Sequence, residues 1–287
     1  MTLDTFYFLS LNGLTLAALL FIMATGLTLA FGLMRVVNLA HGAFYLLGGY
    51  VGVQVVQETD SLTLGILVGG LVAMVGGVLM ERLLLQRVRG LDLSEALLTI
   101  AVGMIIADGL LAIYGGSSIS LPLPPELRMP MDLGVMMYPT FRVYIMIGAL
   151  ALGAVLWVVM TRTRIGAAIR AGVDDRETAM TQGINVPLLF AGVFGAASFL
   201  AGAAGVIGTS YMSLGQGLDV RVLMLSLVVI IIGGMGSLKG AAVGALITGM
   251  VYSFASGYLP HFALFFLFLP MTLILVFRPQ GLFGRTT

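Results

Sequence analysis

Asn38, His41 and Tyr45 interrupt the apolar stretch VNLAHGAFYLLGGY, and Asp108 interrupts GMIIADGLLA. Spacings of three and four residues put Asn38, His41 and Tyr45 on one side of a helix. An amide, an imidazole, a phenol and a carboxylate in such runs can exchange hydrogen bonds or hold a cation. They do not assemble into catalytic machinery. The sequence offers no nucleophile–base pair, no paired carboxylates and no metal-ligand spacing; it has no cysteine, and His41 and His261 are far apart. The lone lysine, Lys239, sits in SLKG, which is not the G-x-x-x-x-G-K-[ST] phosphate cradle. Neither an enzyme nor a bound cofactor is expected.

The elements carrying these residues belong in a bilayer. The chain has 287 residues, is 59% hydrophobic and 9% charged, and has a mean hydropathy of +1.09. Continuous apolar runs of about 20 residues suit membrane helices, whereas the strands of a membrane barrel would alternate apolar and polar side chains. The expected fold is an all-α polytopic transmembrane bundle of about eight or nine spans forming one domain over 1–287. The spans fall near 10–31, 38–57, 62–81, 94–115, 139–161, 187–211, 220–236, 240–257 and 261–278. The join GGMGSLKG reads as a tight hairpin or a re-entrant turn. Polar groups in such spans face the bundle interior or a water-filled cavity. His41 is expected as a neutral ring satisfied by a neighbouring carbonyl. Asp108 is expected as a buried, hydrogen-bonded or paired carboxylate, with capture of an ammonium group as the sharper alternative.

Cytoplasmic loops are enriched in Lys and Arg. With nine spans, an outside N-terminus and a cytoplasmic C-terminus leave only Arg128, Arg142 and Arg221 outside. The remaining basic residues, including Arg35, those of ERLLLQRVRG (81–90) and Arg285, lie inside. The start MTLDTFYF has no basic residue, so a cleavable signal peptide is not expected. The proline-rich stretch 116–138 is expected as an ordered extracytoplasmic connector. Glycines four apart, Gly48/Gly52, Gly65/Gly69 and Gly240/Gly244, are expected to bring helices into close contact.

One short region is charged. Arg162, Arg164, Arg170, Asp174, Asp175, Arg176 and Glu177 fall in RTRIGAAIRAGVDDRETAMTQGINV. Ile165, Ile169 and Val173, with Ala168 and Gly172 beside them, make a narrow apolar stripe on a short amphipathic helix. Gly183 permits a turn beyond it. The acidic cluster Asp174, Asp175, Glu177 would be repelled by anionic lipid and accepted by a protein groove of mixed charge.

Glu177-Thr178-Ala179-x-x-x-Gly183 resembles the EAA---G signature of ABC-importer permeases, with Thr178 in place of the first alanine. FGLMRVVNLAHGAFYLLGGY (31–50), GGMGSLKGAAVGALITG (233–249) and the whole charged loop are similar to LivH-type branched-chain amino acid permeases. The resemblance runs from about Leu11 to Phe283. It implies a bacterial inner-membrane permease subunit that works with a LivM-type permease, two cytoplasmic ATPases that bind the ATP, and a soluble periplasmic or extracellular substrate-binding protein. No nucleic-acid partner is expected. It also implies that residues 162–186 are the coupling loop, with Gly166, Ile169, Arg170, Asp174, Asp175, Arg176, Glu177, Ala179 and Gly183 as the coupling residues. Branched-chain amino acids are the implied substrates; urea, short amides and other small polar solutes are the alternatives, as is a self-contained channel or carrier of another class. In a transporter, a broken helix can line the route. Asn38, His41, Gly42, Tyr45 and Asp108 are therefore the candidate pathway residues. The alternative is that the second helix simply starts near Asn38, which caps it.

Overall fold

The computed structural model describes residues 3–34 and 38–284, apart from the side chains of residues 33 and 34. Arg35 and Arg285, two of the expected inside cations, lie outside the described residues. The chain is a helical membrane bundle. Helices cover all nine expected spans, and seven are long and apolar enough to cross a bilayer. The other two are α2 (His41–Thr59), which carries His41, Gln54, Gln57 and Glu58, and α11 (Leu218–Gly233), which has 16 residues. Among the described residues, length and composition thus mark seven spans, against the eight or nine expected.

The described residues divide into two compact units. One comprises the chain up to Ala24, Leu123–Gly153, and everything from Leu225 on; the other comprises Thr25–Pro122 and Ala154–Met224. α1 (Leu3–Met34), α7 (Thr140–Arg162) and α11 contribute residues to both.

The second unit is built on α2, α3 (Leu62–Met80) and α10 (Val186–Gly208). Ser61 caps α3 by accepting from the Leu64 amide, and Asn185 caps α10 by accepting from the Leu188 amide. The glycine spacing takes effect here. A Cβ on Gly52 would lie 2.6 Å from the Gly65 carbonyl oxygen, and one on Gly48 would run into the Gly202 backbone. Small residues let helices approach to this distance in lipid, where packing rather than the hydrophobic effect holds helices together. α5 (Asp92–Tyr114) lies alongside α2.

α3 does not give way to a basic loop at residue 81. It continues through a π-turn, Glu81–Leu85, into the single turn α4 (Gln86–Val88). Residues 81–88 of the expected loop are therefore helical, because Glu81 is held inside the protein rather than released to solvent. The chain then turns at Gly90 into α5. A second charged segment, α8 (Arg164–Asp174) followed by α9 (Arg176–Thr181), packs on α10.

The end of α11, in the first unit, joins α12 (Leu238–Tyr258) through a tight turn with Gly234 and Gly236 at positive φ, the first of the two expected alternatives. Gly240 lies against the Gly233 backbone and Gly244 against the Val229 carbonyl. α13 (Ala263–Phe277) follows a short 3-10 turn. The proline-rich connector is ordered: α6 (Pro125–Arg128) leads into an antiparallel pair, β1 (Pro130–Asp132) and β2 (Met137–Pro139). Tyr138 is buried there, its hydroxyl 2.9 Å from that of Thr15.

Candidate functional site

The α7–α8 corner sets the geometry of the charged segment. The last carbonyls of a helix have no intrahelical partner. Here the Thr163 hydroxyl donates to the Val159 carbonyl at 2.7 Å, and the Arg170 guanidinium donates to that of Met160. A cation at the carbonyl end of a helix also meets its negative dipole end. The Thr163 hydroxyl oxygen accepts from the Gly166 amide at 3.2 Å, which caps α8. Gly166 lies against the Val159 and Met160 carbonyls, leaving no room for a Cβ.

This corner fixes which face of α8 turns inward. Gly166, Ile169 and Gly172 are buried, whereas Ile165 is 59% exposed. The stripe expected through Ile165, Ile169 and Val173 is therefore rotated: Ile165 leaves it, because Gly166 must be the residue that meets the end of α7. Ile169 joins Ala179, Val186, Phe190 and Val193 in one apolar cluster.

Asp175 separates α8 from α9. Its backbone is extended, its Oδ1 accepts the Thr178 amide at 3.0 Å, and its Oδ2 accepts the Thr178 hydroxyl at 2.5 Å. These donors favour the charged form and hold its carboxyl below the usual aspartate range. α9 ends at Thr181 and the chain turns at Gly183, whose φ of 83° suits glycine; the Gly183 amide donates to the Met180 carbonyl. Asp174, Asp175, Arg176, Glu177 and Gly183 are exposed; Ala179 is buried and Arg170 half-buried.

Sequence reading missed a second charged group. Glu81 is fully buried and forms an ion pair with Arg89 across the π-turn. Glu95, also buried, accepts the Gly90 amide at 2.7 Å. The Arg89 guanidinium sits 5.1 Å from the centre of the Phe190 ring, within cation–π range. Arg89 falls just past the end of α4, outside the helical repeat to which Glu81 belongs, so helix periodicity does not flag this pair. The available signal was two glutamates at the borders of apolar runs.

The five candidate pathway residues are dispersed. The Asn38 carbonyl accepts the His41 amide at 3.2 Å and its Oδ1 accepts the Ala40 amide at 3.0 Å, while α2 runs unbroken past Gly48 and Gly49. Asn38 and His41 are buried, and Gly42 abuts the Asp219 carbonyl. Tyr45 is buried against Gly208. Asp108 is exposed, not buried as expected, because it faces a cavity of about 140 Å³ rather than a neighbouring helix. Asp108, Asp219 and Tyr50 line this cavity together with Leu46, Met104 and Leu111. Tyr50 stacks on Tyr114 at 4.7 Å.

Residues 9–277 match the family described as branched-chain amino acid transport system / permease component. The chain is 28% identical over 300 residues to the high-affinity branched-chain amino acid transport system permease protein LivH of Escherichia coli, covering 97% of this chain and 96% of that one. It is 25% identical over 291 residues to the permease protein BraD of Pseudomonas aeruginosa, covering 96% and 94%. A shorter stretch of 105 residues is 33% identical to the ribose import permease protein RbsC of Haemophilus influenzae, covering 34% and 32%. No solved structure matches. The chain belongs to the branched-chain amino acid transport permease family, and is a membrane transport component rather than an enzyme.

Proposed function

We propose that this chain is the LivH-type permease of an ATP-driven importer of hydrophobic, branched-chain amino acids. It pairs with a LivM-type permease, two cytoplasmic ATPases that bind and hydrolyse ATP, and a soluble substrate-binding protein. The observation that carries this reading is the α8–α9 segment. Its apolar face is anchored on α10 by Ile169 and Ala179, while Arg176, Glu177, Met180 and Ile165 are exposed. A mixed apolar and charged surface fits a protein cleft better than anionic headgroups.

ATP binding closes the ATPases, and α8–α9 carries that movement into the bundle. ATP shifts only states it binds differently, so this segment must meet the ATPases differently in the two. Asp108 and Asp219 offer anionic contacts for a substrate ammonium, with Leu46, Met104 and Leu111 as the apolar wall. The N-terminus lies outside and 162–183 inside.

In reconstituted importer, the double variant Glu177→Arg, Gly183→Val is expected to hydrolyse ATP without leucine uptake. Normal uptake rejects the coupling role. Single cysteines are clean probes in a cysteine-free chain, and labelling at Ser117 from the cytoplasmic side alone rejects the orientation.

A further inference from the structure

Two buried carboxylates, Glu81 and Glu95, stand at the base of the hairpin that joins α3 to α5, and Arg89 is the guanidinium paired with Glu81. Glu81 Oε2 has no hydrogen-bond partner among the described residues. A buried carboxylate answered at one oxygen only is poorly compensated, and the low dielectric around it magnifies the effect of nearby charge. The Arg89 guanidinium lies on Phe190, whose ring shares a cluster with Ile169 of α8 and Ala179 of α9. The hairpin and the α8–α9 segment therefore converge on one side chain of α10, the Phe190 ring.

Apolar side chains can slide past one another with little change in energy. A buried ion pair cannot, because its energy is steep in distance when water is excluded. The π-turn places that stiff link where α3 would otherwise end. It ties Glu81 to Arg89, while the Glu95–Gly90 hydrogen bond ties the same hairpin to the first turn of α5.

We propose that Glu81 and Arg89 are a positioning pair that makes the α3–α5 hairpin follow α8–α9, so that ATPase movement reaches α3 and α5 through a buried charge contact. This rests on the coupling role proposed for α8–α9. What Glu81 contributes is its charge; its bulk is secondary.

The test uses the assembled importer with its ATPases. A nitroxide at Leu93→Cys, exposed in the first turn of α5, reports the hairpin with and without ATP. With Glu81 present, ATP is expected to shift the balance between label states. Glu81→Gln, which keeps the shape, should shrink that shift by about 2- to 30-fold, the range for residues within coupling networks. Glu81→Asp, which keeps the charge on a shorter side chain, should retain it. A purely structural role predicts the reverse order, since Gln fills the site and Asp leaves a gap; that result overturns the proposal. A separate Glu177→Cys variant, cross-linked to the ATPase, reports docking. A label silent to ATP while the cross-link forms overturns the positioning role alone. Failure of the cross-link overturns the coupling reading, and the positioning role with it.

Discussion

The α8–α9 segment and the α3–α5 hairpin are both short, charged and packed against α10 or its contacts, yet they place their charge in opposite ways. α8–α9 turns Ile169 and Ala179 inward and holds Asp174, Asp175, Arg176 and Glu177 outside. The hairpin turns Glu81 and Glu95 inward, and pairs Glu81 with Arg89. The difference separates two uses of charge. Outward charge is solvated and suits recognition of a partner. Inward charge is desolvated, which makes it expensive unless paired and mechanically stiff once paired.

Removing one side of the inward pair should have the largest effect. Arg89→Ala leaves Glu81 buried and unpaired, and is expected to destabilise the protein by about 3–5 kcal/mol. Replacing both residues with leucine should cost much less, because no charge is stranded. Thermal unfolding in detergent measures both; equal losses would mean that lost packing, not stranded charge, governs this site.

Next in size is the contrast between two isoleucines on α8. Ile169→Ala should cost about 2–5 kcal/mol as a core truncation, and Ile165→Ala less than about 0.5 kcal/mol as a surface change. Similar losses at both positions would return Ile165 to the buried stripe.

The α7–α8 corner is a smaller test of the same comparison. A methyl group at Gly166 meets the Val159 and Met160 carbonyls, so Gly166→Ala should cost about 1–3 kcal/mol through overpacking. Hydrogen exchange should show the loss confined to α8 and the end of α7. A global loss would place the strain elsewhere.

The smallest effect concerns pH and the outward charge. The Asp175 carboxyl is held below its ordinary value by Thr178. A depressed pKa gives stability that is present above the unfolded value of about 3.9 and lost as pH falls through the folded value. The α9 cap should therefore hold at neutral pH and loosen in acid. Asp175→Asn keeps an acceptor without the charge and should flatten this pH dependence. An unchanged acid transition in that variant would mean that another carboxylate controls it.

Much of this was legible along the chain. Apolar runs marked the membrane helices, and the residues around Glu177 and Gly183 marked the segment that carries the proposed function. The small residues four apart marked close packing: Gly48 and Gly52 meet Gly202 and Gly65, and Gly240 meets Gly233. The cavity was only half visible. Asp108 stood out as a carboxylate in an apolar run, but its companions Asp219 and Tyr50 are distant in sequence. Hydropathy also fails to rank helices by environment. α1 and α7 are both strongly apolar, yet 83% of the most apolar window of α1 is buried against 11% for α7.

The sequence by itself determined that the chain is a helical membrane protein, where its helices run and where its outward charge collects. Those properties rest on run length, periodicity and capping residues, which act over a few neighbouring positions. Only the tertiary structure decided that Ile165 faces out, that Glu81 and Arg89 pair inside, and that Asp108 opens onto a cavity. Each of these depends on what lies opposite the residue: the carbonyl end of α7, the ring of Phe190, or the start of α11. A neighbour brought close by folding leaves no periodic trace in the segment it faces.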